Sequence, residues 1–185
     1  MSRRDRIAKI CGQGLDGRAL RIELLNEIRS QVTFDAYVWV LTDPETCVGS
    51  APLADAPTLA DIPRLIRLKY LTAVNRWTTL PTNTPTSLLE ATAHEPSKSL
   101  VWRELLQGYG VSDVLSTVFR DQFGCWSFLD LWRHEGSFVE AERDVMTDLA
   151  DTATAALRRS SMPSDRKSTR LNSSHAGLSR MPSSA

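Results

Sequence analysis

The sequence is poor in cysteine, in long apolar runs and in net charge, and each shortage excludes a class of protein. Its 185 residues contain three cysteines, Cys11, Cys47 and Cys125. Because this number is odd and the spacings are wide, we expect free thiols in a reducing compartment rather than a disulfide framework. No apolar run approaches the roughly 18 residues that cross a bilayer, and residues 1–13 lack the apolar core of a signal peptide. These absences predict a cytoplasmic protein without a membrane partner.

Motifs of the common enzyme classes are also missing. The chain has no glycine-rich phosphate loop, no nucleophile-elbow serine and no paired zinc-binding cysteines. His94 and His134 have no second ligand at helical or strand spacing, so a metal site is not expected. We therefore predict no catalytic residue, no metal and no cofactor, and we expect the chain not to be an enzyme.

Charge is balanced over the whole chain but not along it. The sequence has 22 Lys plus Arg and 22 Asp plus Glu, and 42% of its residues are hydrophobic, which is typical of a single soluble domain. From Ser161 onward serine, arginine and proline dominate. Such a composition cannot offset the entropy of ordering, so residues 161–185 are predicted to be a disordered tail.

Part of this tail resembles the conceptual translation of a common sequencing adaptor. The match covers residues 165–185 in two pieces, DRKSTRLNSSH and SRMPSSA, with three residues between them. We therefore expect the natural sequence to stop near Ser164. Residues 1–164 then carry 18 basic and 21 acidic side chains, a balance that counts against nucleic-acid binding by this part alone.

Apolar periodicity and turn residues predict the elements of the first hundred residues. A helix is expected after the N-cap Asp16, with an apolar stripe on one side and its charged residues, Arg21 among them, on the other. A second helix is expected from Asp61. The remaining predictions are strands at 34–42 and 47–53, a loop over 78–99 with a short strand or turn at 88–92, and a short helix over 101–106.

The most informative stretch is 111–133, where two runs rich in valine, leucine, phenylalanine and tryptophan flank Asp121-Gln-Phe-Gly124. This pattern predicts a hairpin at the centre of an antiparallel sheet. By the period-two rule, Trp126 would share one strand face with Asp130, while Cys125 would lie on the other. A capping box at Ser137 and Glu140 predicts a final helix. The fold class expected is therefore α+β, an antiparallel sheet flanked by helices on both faces.

Four segments of the sequence, including the predicted hairpin, resemble a known protein family. The segments FDAYVWVLTDPET, PRLIRLKYLTAVNRW, WRELLQGYGVSDV and VFRDQFGCWSFLDLWR resemble the N-terminal GAF-like sensor region of actinobacterial LuxR-type helix-turn-helix transcriptional regulators. The resemblance covers residues 14–160 and leaves 1–13 as a leader. It implies a GAF-like fold with a pocket on one sheet face, terminal helices that pair in a homodimer, and a C-terminal DNA-binding domain that is missing here.

The function implied is ligand sensing and dimerisation within a truncated LuxR-type regulator. Its partners would be an unidentified small-molecule effector and a second copy of the chain, with DNA bound only through the missing domain. One alternative is a GAF-fold thiol redox enzyme of the methionine sulfoxide reductase type, with Cys47 or Cys125 as the nucleophile. The other is a dimerisation scaffold that binds no ligand.

The candidate ligand-binding residues are mostly aromatic, because small-molecule sites are largely apolar with a few placed polar groups. Asp130 stands out, since a carboxylate in so apolar a run is costly unless it is paired. We expect Asp130 to meet backbone donors or an arginine, with Arg67, Arg76 and Arg133 as candidates. The full set is Trp39, Tyr70, Trp77, Phe119, Trp126, Asp130, Trp132 and Arg133.

Overall fold

The computed structural model describes residues 1–57 and 59–162. Within these ranges the chain forms six α-helices and five β-strands. The helices are α1 (Arg3–Cys11), α2 (Gly17–Arg29), α3 (Ile62–Leu71), α4 (Leu88–Ala91), α5 (Leu100–Glu104) and α6 (Glu140–Ser161). The strands are β1 (Ala36–Thr42), β2 (Gly49–Asp55), β3 (Thr86–Ser87), β4 (Asp113–Asp121) and β5 (Gly124–Arg133). The adaptor-like segment 165–185 lies outside the described residues.

The five strands form one antiparallel sheet in the order β2-β1-β5-β4-β3. The predicted hairpin is β4–β5, and β5 is the central strand of the sheet. Gly124 has a φ of 147°, a conformation that L side chains rarely adopt, at the point where the hairpin turn enters β5. The predicted α+β class and central hairpin are confirmed.

Helices cover both faces of this sheet. Helices α1, α2 and α6 pack on one face and bury there the apolar residues that we call the α6-side core, which includes Leu24, Leu129 and Leu149. Helices α3, α4 and α5 cover the other face, over an α3-side core that includes Leu65 and Phe128. Because both faces of β5 are covered, its residues 125–132 are all buried.

The N-terminal segment 1–13 is more structured than a leader. It contains α1, which begins with a reciprocal capping box between Ser2 and Asp5 and packs against α2 and α6. Ile7, at 2% exposure, belongs to the α6-side core. This helix was not predicted from the sequence, because nine residues with four basic side chains form only a narrow apolar stripe.

The final helix begins later than predicted. Its N-cap is Val139 rather than Ser137, and the Val139 N–H donates to the Glu142 carboxylate at 3.0 Å. Valine has no side-chain acceptor, so this is half of a capping box. The predicted pairing of Ser137 with Glu140 is therefore wrong, and Glu142 does what Glu140 was expected to do.

A β-bulge changes which residues share a face of β5. Phe119 lies opposite Ser127 but Arg120 lies opposite Cys125, so Trp126 is an extra residue in the ladder. Trp126 therefore belongs to the α6-side core and Cys125 to the α3-side core. The prediction that Trp126 shares a face with Asp130 is wrong, because the strict alternation of side chains stops at the bulge.

The predicted loop over residues 78–99 contains a short strand and a short helix. Residues 88–91 form helix α4, and the short strand predicted near them is β3, two residues earlier. The Ser87 hydroxyl caps α4, which explains why the chain turns helical there. In residues 1–57 and 59–162, no helix combines the length and apolar character needed to span a membrane.

Candidate functional site

The sheet separates the eight predicted ligand residues into different environments. Trp39, Phe119 and Trp126 lie in the α6-side core. Trp77 and Trp132 lie in the α3-side core with Tyr70 packed against it, Asp130 shares that face, and Arg133 lies at the end of β5. One cavity lined by all eight is therefore excluded, because residues on opposite faces of a sheet cannot contact the same ligand.

The three candidate residues in the α6-side core contact other residues of the chain through their rings and their indole N–H groups. The rings of Trp39 and Phe119 stack with centroids 5.4 Å apart. The Trp39 indole N–H donates to the Ser127 hydroxyl at 3.0 Å, and the Trp126 indole N–H donates to the Asp121 carboxylate at 3.0 Å. Their polar atoms are thus satisfied within the chain, and these three aromatics stabilise the core.

The α3-side aromatics surround a buried ion pair. Trp77 stacks on Phe128 with ring centroids 5.0 Å apart, and Tyr70 meets Trp77 edge to face at 5.9 Å. The Trp77 indole N–H donates to Asp130 Oδ1 at 2.8 Å. Asp130 Oδ2 lies 3.2 Å from Lys69 Nζ, and the two side chains are 1% and 2% exposed.

The charged partner of the Asp130 carboxylate is therefore Lys69 of α3 rather than an arginine. The prediction that this carboxylate is partnered is confirmed, but the choice among Arg67, Arg76 and Arg133 is wrong. Arg76 donates to a backbone carbonyl at 2.7 Å, and Arg133 pairs with Glu142. A compact ammonium fits beneath α3, where burial lowers the pKa of Lys69 and the neighbouring Asp130 raises it in smaller measure.

A wider polar cluster extends from this pair into the α3-side core. Lys69 Nζ donates to the Ser116 hydroxyl at 3.0 Å, and the Asn75 amide donates to the same oxygen at 3.1 Å. Among the described residues, Asn75 Oδ1 of this cluster and Trp132 Nε1 of the α3-side core have no hydrogen-bond partner. Buried polar atoms are normally hydrogen-bonded, so these two atoms are exceptions.

Arg133 has a structural role at the entrance to α6. Its guanidinium donates to the Ser137 carbonyl at 2.6 Å and to Glu142 Oε1 at 2.6 Å, and it lies 4.4 Å from the centre of the Phe138 ring. Burial alone would raise the pKa of Glu142, but hydrogen bonds from Arg133 and from the backbone lower it on balance. Arg133 is thus committed to holding the connection between β5 and α6.

An apolar pocket that sequence reasoning missed lies at the β2 edge of the sheet, under the start of α3. Its volume is about 670 Å³, within the range typical of small-molecule sites. None of the eight predicted residues lines it. The available signal was the apolar stripe of α3, since Ile62 and Ile66 belong to both. The lining is Arg18, Pro52, Leu53, Ala54, Leu59, Ile62, Pro63 and Ile66, and we call it the β2–α3 pocket.

The thiols differ in accessibility. Cys11 and Cys125 are buried and Cys47 is partly exposed. Burial, followed by the effect of Cys47, raises the pKa of Cys125 to about 11, so few of these thiols ionise at neutral pH. Burial likewise raises the pKa of Cys11. In the part of the chain described by the structure, no three His, Cys, Asp or Glu side chains are grouped so as to hold a metal ion.

Comparison of the sequence with known proteins does not indicate a family for this chain. No family model and no curated protein matches the sequence. The function is therefore inferred from the chain's own residues and from the motifs described above.

Proposed function

We propose that this chain is a ligand-sensing domain, and that it serves a LuxR-type transcriptional regulator. The observation that carries the sensing role is the β2–α3 pocket, which offers about 670 Å³ of largely apolar space beside a single charged lining residue, Arg18. The α+β architecture, with an antiparallel sheet between two helical layers, is compatible with the GAF-like fold that the resemblance implies. The regulatory assignment rests on the resemblance of residues 14–160.

The lining defines the chemistry of the effector. Leu53, Leu59 and Ile66 favour an apolar body, because burying apolar surface is the main source of affinity for such ligands. Arg18 at the rim favours an acidic group, since a guanidinium binds carboxylates through charge-assisted hydrogen bonds. We therefore propose a small apolar acid as the class of effector.

Decanoate is a suitable probe of this class, with decanol as its neutral counterpart. A ligand that binds only the folded state raises the melting temperature once its concentration exceeds Kd. We expect decanoate to stabilise the full chain more than decanol does. Arg18→Gln should weaken decanoate binding about 1.4- to fivefold while leaving decanol unchanged, because an exposed charge contact contributes about 0.2–1 kcal/mol.

Two further variants make the test specific for the pocket. Leu59→Asp places a charge on an exposed lining residue and should abolish stabilisation by both probes, with little risk to folding. Arg64→Gln is the matched control, because Arg64 is also an exposed residue and belongs to α3, the helix over the pocket, but does not line the cavity. Equal stabilisation of wild type and Leu59→Asp would refute the pocket, and no stabilisation of either would favour the ligand-free scaffold.

Dimerisation through the terminal helices is the second part of the proposal. The apolar side of α6 is already used within the chain, with Ala153 and Ala156 buried under α1 and α2. The surface left for a partner is charged, with a surplus of positive charge on α1 and of negative charge on α6. The exposed charged residues are Arg4, Asp5 and Lys9 on α1, where Arg4 already pairs with Asp148 of the same chain, and Glu140, Asp144, Asp151 and Arg159 on α6. Opposite charges on neighbouring helices favour a two-fold arrangement in which each α1 faces the partner's α6.

A further inference from the structure

The turn between β1 and β2 is pressed against the start of β5. The Cys125 N–H donates to the Pro44 carbonyl at 3.0 Å, and the Thr42 hydroxyl donates to the Cys125 carbonyl at 2.6 Å. A Cβ added to Gly124 would lie 2.6 Å from Pro44 Cβ, closer than real Cβ contacts allow. The two segments are therefore in direct backbone contact.

Cys47 is held in this turn in an unusual conformation. Its φ is 59°, a left-handed value that is strained for a non-glycine residue and persists only where neighbours enforce it. The enforcing contacts are the Cys47 N–H to the Asp43 carbonyl at 2.9 Å and the Tyr70 hydroxyl to the Cys47 carbonyl at 2.6 Å. The backbone thus fixes where the Cys47 side chain projects.

The two cysteines lie on the same side of the sheet as a result. Cys125 belongs to the α3-side core and Cys47 packs against the same core. After burial, the neighbouring Cys47 is the largest cause that raises the pKa of the Cys125 thiol. Cys11 lies on the opposite face of the sheet, so it is a natural internal control.

We propose that Cys47 and Cys125 are a thiol pair that hydrogen peroxide converts into an intramolecular disulfide. Cys47, the more exposed thiol, attacks one peroxide oxygen as a thiolate; an S–O bond forms, the O–O bond breaks, and the departing hydroxide takes up a proton to give water. Cys125 then attacks the sulfenic sulfur, the S–S bond forms and the S–O bond breaks. The Cys125 proton leaves with the hydroxide as a second water, so two thiols and one peroxide give one disulfide and two waters.

The surroundings of Cys125 make the second step the slower one near neutral pH. Burial and the Cys47 thiol raise the pKa of Cys125, while the side chains of Thr42 and of Arg120 in β4 lower it less strongly. Tyr70 of α3 is a further titratable group in electrostatic contact with both thiols. The Cys47 sulfenic acid is therefore expected to accumulate before the disulfide and to be captured by dimedone, and disulfide formation should accelerate as pH rises.

The test is peptide mapping of the full chain after peroxide treatment, without reduction. We expect a cross-linked peptide containing Cys47 and Cys125, lighter by two hydrogen atoms than the two free peptides. Cys11→Ser should retain this product, whereas Cys47→Ser, Cys125→Ser and Cys125→Ala should lose it. Circular dichroism of the Cys125 variants shows whether they are folded, and Cys47→Ser, at a partly exposed site, keeps the test decisive if they are not. A disulfide between two chains, or sulfinic acid at Cys47 without cross-linking, would overturn the proposal.

Discussion

At the scale of single residues, Lys69 and Asp130 form the most deeply buried ion pair among the described residues. Removing one partner of a buried pair leaves an uncompensated charge and costs about 3–5 kcal/mol. We therefore expect Asp130→Asn, which keeps an acceptor for Trp77, to lower the free energy of unfolding by this amount. Urea denaturation monitored by tryptophan fluorescence measures the change.

A double-mutant cycle separates the pair from its surroundings. Lys69→Met with Asp130→Asn should cost less than the sum of the two single variants, because no unpaired charge remains. Glu104→Gln is the matched control, since it breaks the half-exposed contact with Arg64 and should change stability by less than about 1 kcal/mol. An Asp130→Asn protein as stable as Glu104→Gln would show that the buried pair is not formed.

Lys69 also shows how far single residues can be predicted from sequence. It follows Ile62 by seven residues and Leu65 by four, so helical spacing already placed it on the buried side of α3. The predicted partners of Asp130 were backbone donors or an arginine, and this lysine was not among them. Arg21 is a similar case: it was expected on the exposed side of α2, but its guanidinium is buried and donates to the Trp39 and Ala51 carbonyls, each at 2.9 Å.

At the scale of the elements, the Arg133–Glu142 ion pair joins β5 to α6, and its contribution to stability depends on pH. The pKa of Glu142 in the folded chain lies below its ordinary value of 4.5, so the carboxylate stabilises the fold above that pH and ceases to do so as the pH falls through the lower pKa of the folded state. We expect Glu142→Gln to cost about 1–2 kcal/mol near neutral pH. The difference from wild type should shrink as the pH falls below 4.5 and through the lower pKa of the folded state. Urea titrations across this range measure both quantities.

Glu140→Gln is the matched control for this junction. Glu140 and Glu142 both lie in the first turn of α6 and share the favourable interaction with the helix dipole, but only Glu142 contacts Arg133. The excess effect at Glu142 therefore reports its contacts with Arg133 and with the N–H groups of Val139 and Thr33. Equal losses for the two variants at every pH would mean that Arg133 contributes nothing through this carboxylate.

The elements themselves were largely predictable, and the exceptions have physical causes. The central position of β5 followed from apolar residues on both of its faces, and Asp16 was correctly identified as the cap of α2. The exchange of faces by Trp126 could not be predicted, because nothing in the local pattern of β5 marks a bulge. The β2–α3 pocket likewise depends on how α3 docks at the sheet edge, a tertiary arrangement that no periodicity records.

For the whole molecule, charge on the terminal helices predicts how two copies would associate. Exposed charges are screened by salt, with a Debye length of about 8 Å at physiological ionic strength. We therefore expect light scattering of the full chain to give the mass of a dimer at low salt and a shift toward monomer as sodium chloride is added. Asp144→Arg should have the same effect at low salt, because it places a like charge opposite the partner's α1.

Glu104→Arg makes the same charge change on α5, away from the terminal helices, and should leave the dimer intact. A monomer at high protein concentration and low salt, or equal dissociation by both variants, would contradict pairing through α1 and α6.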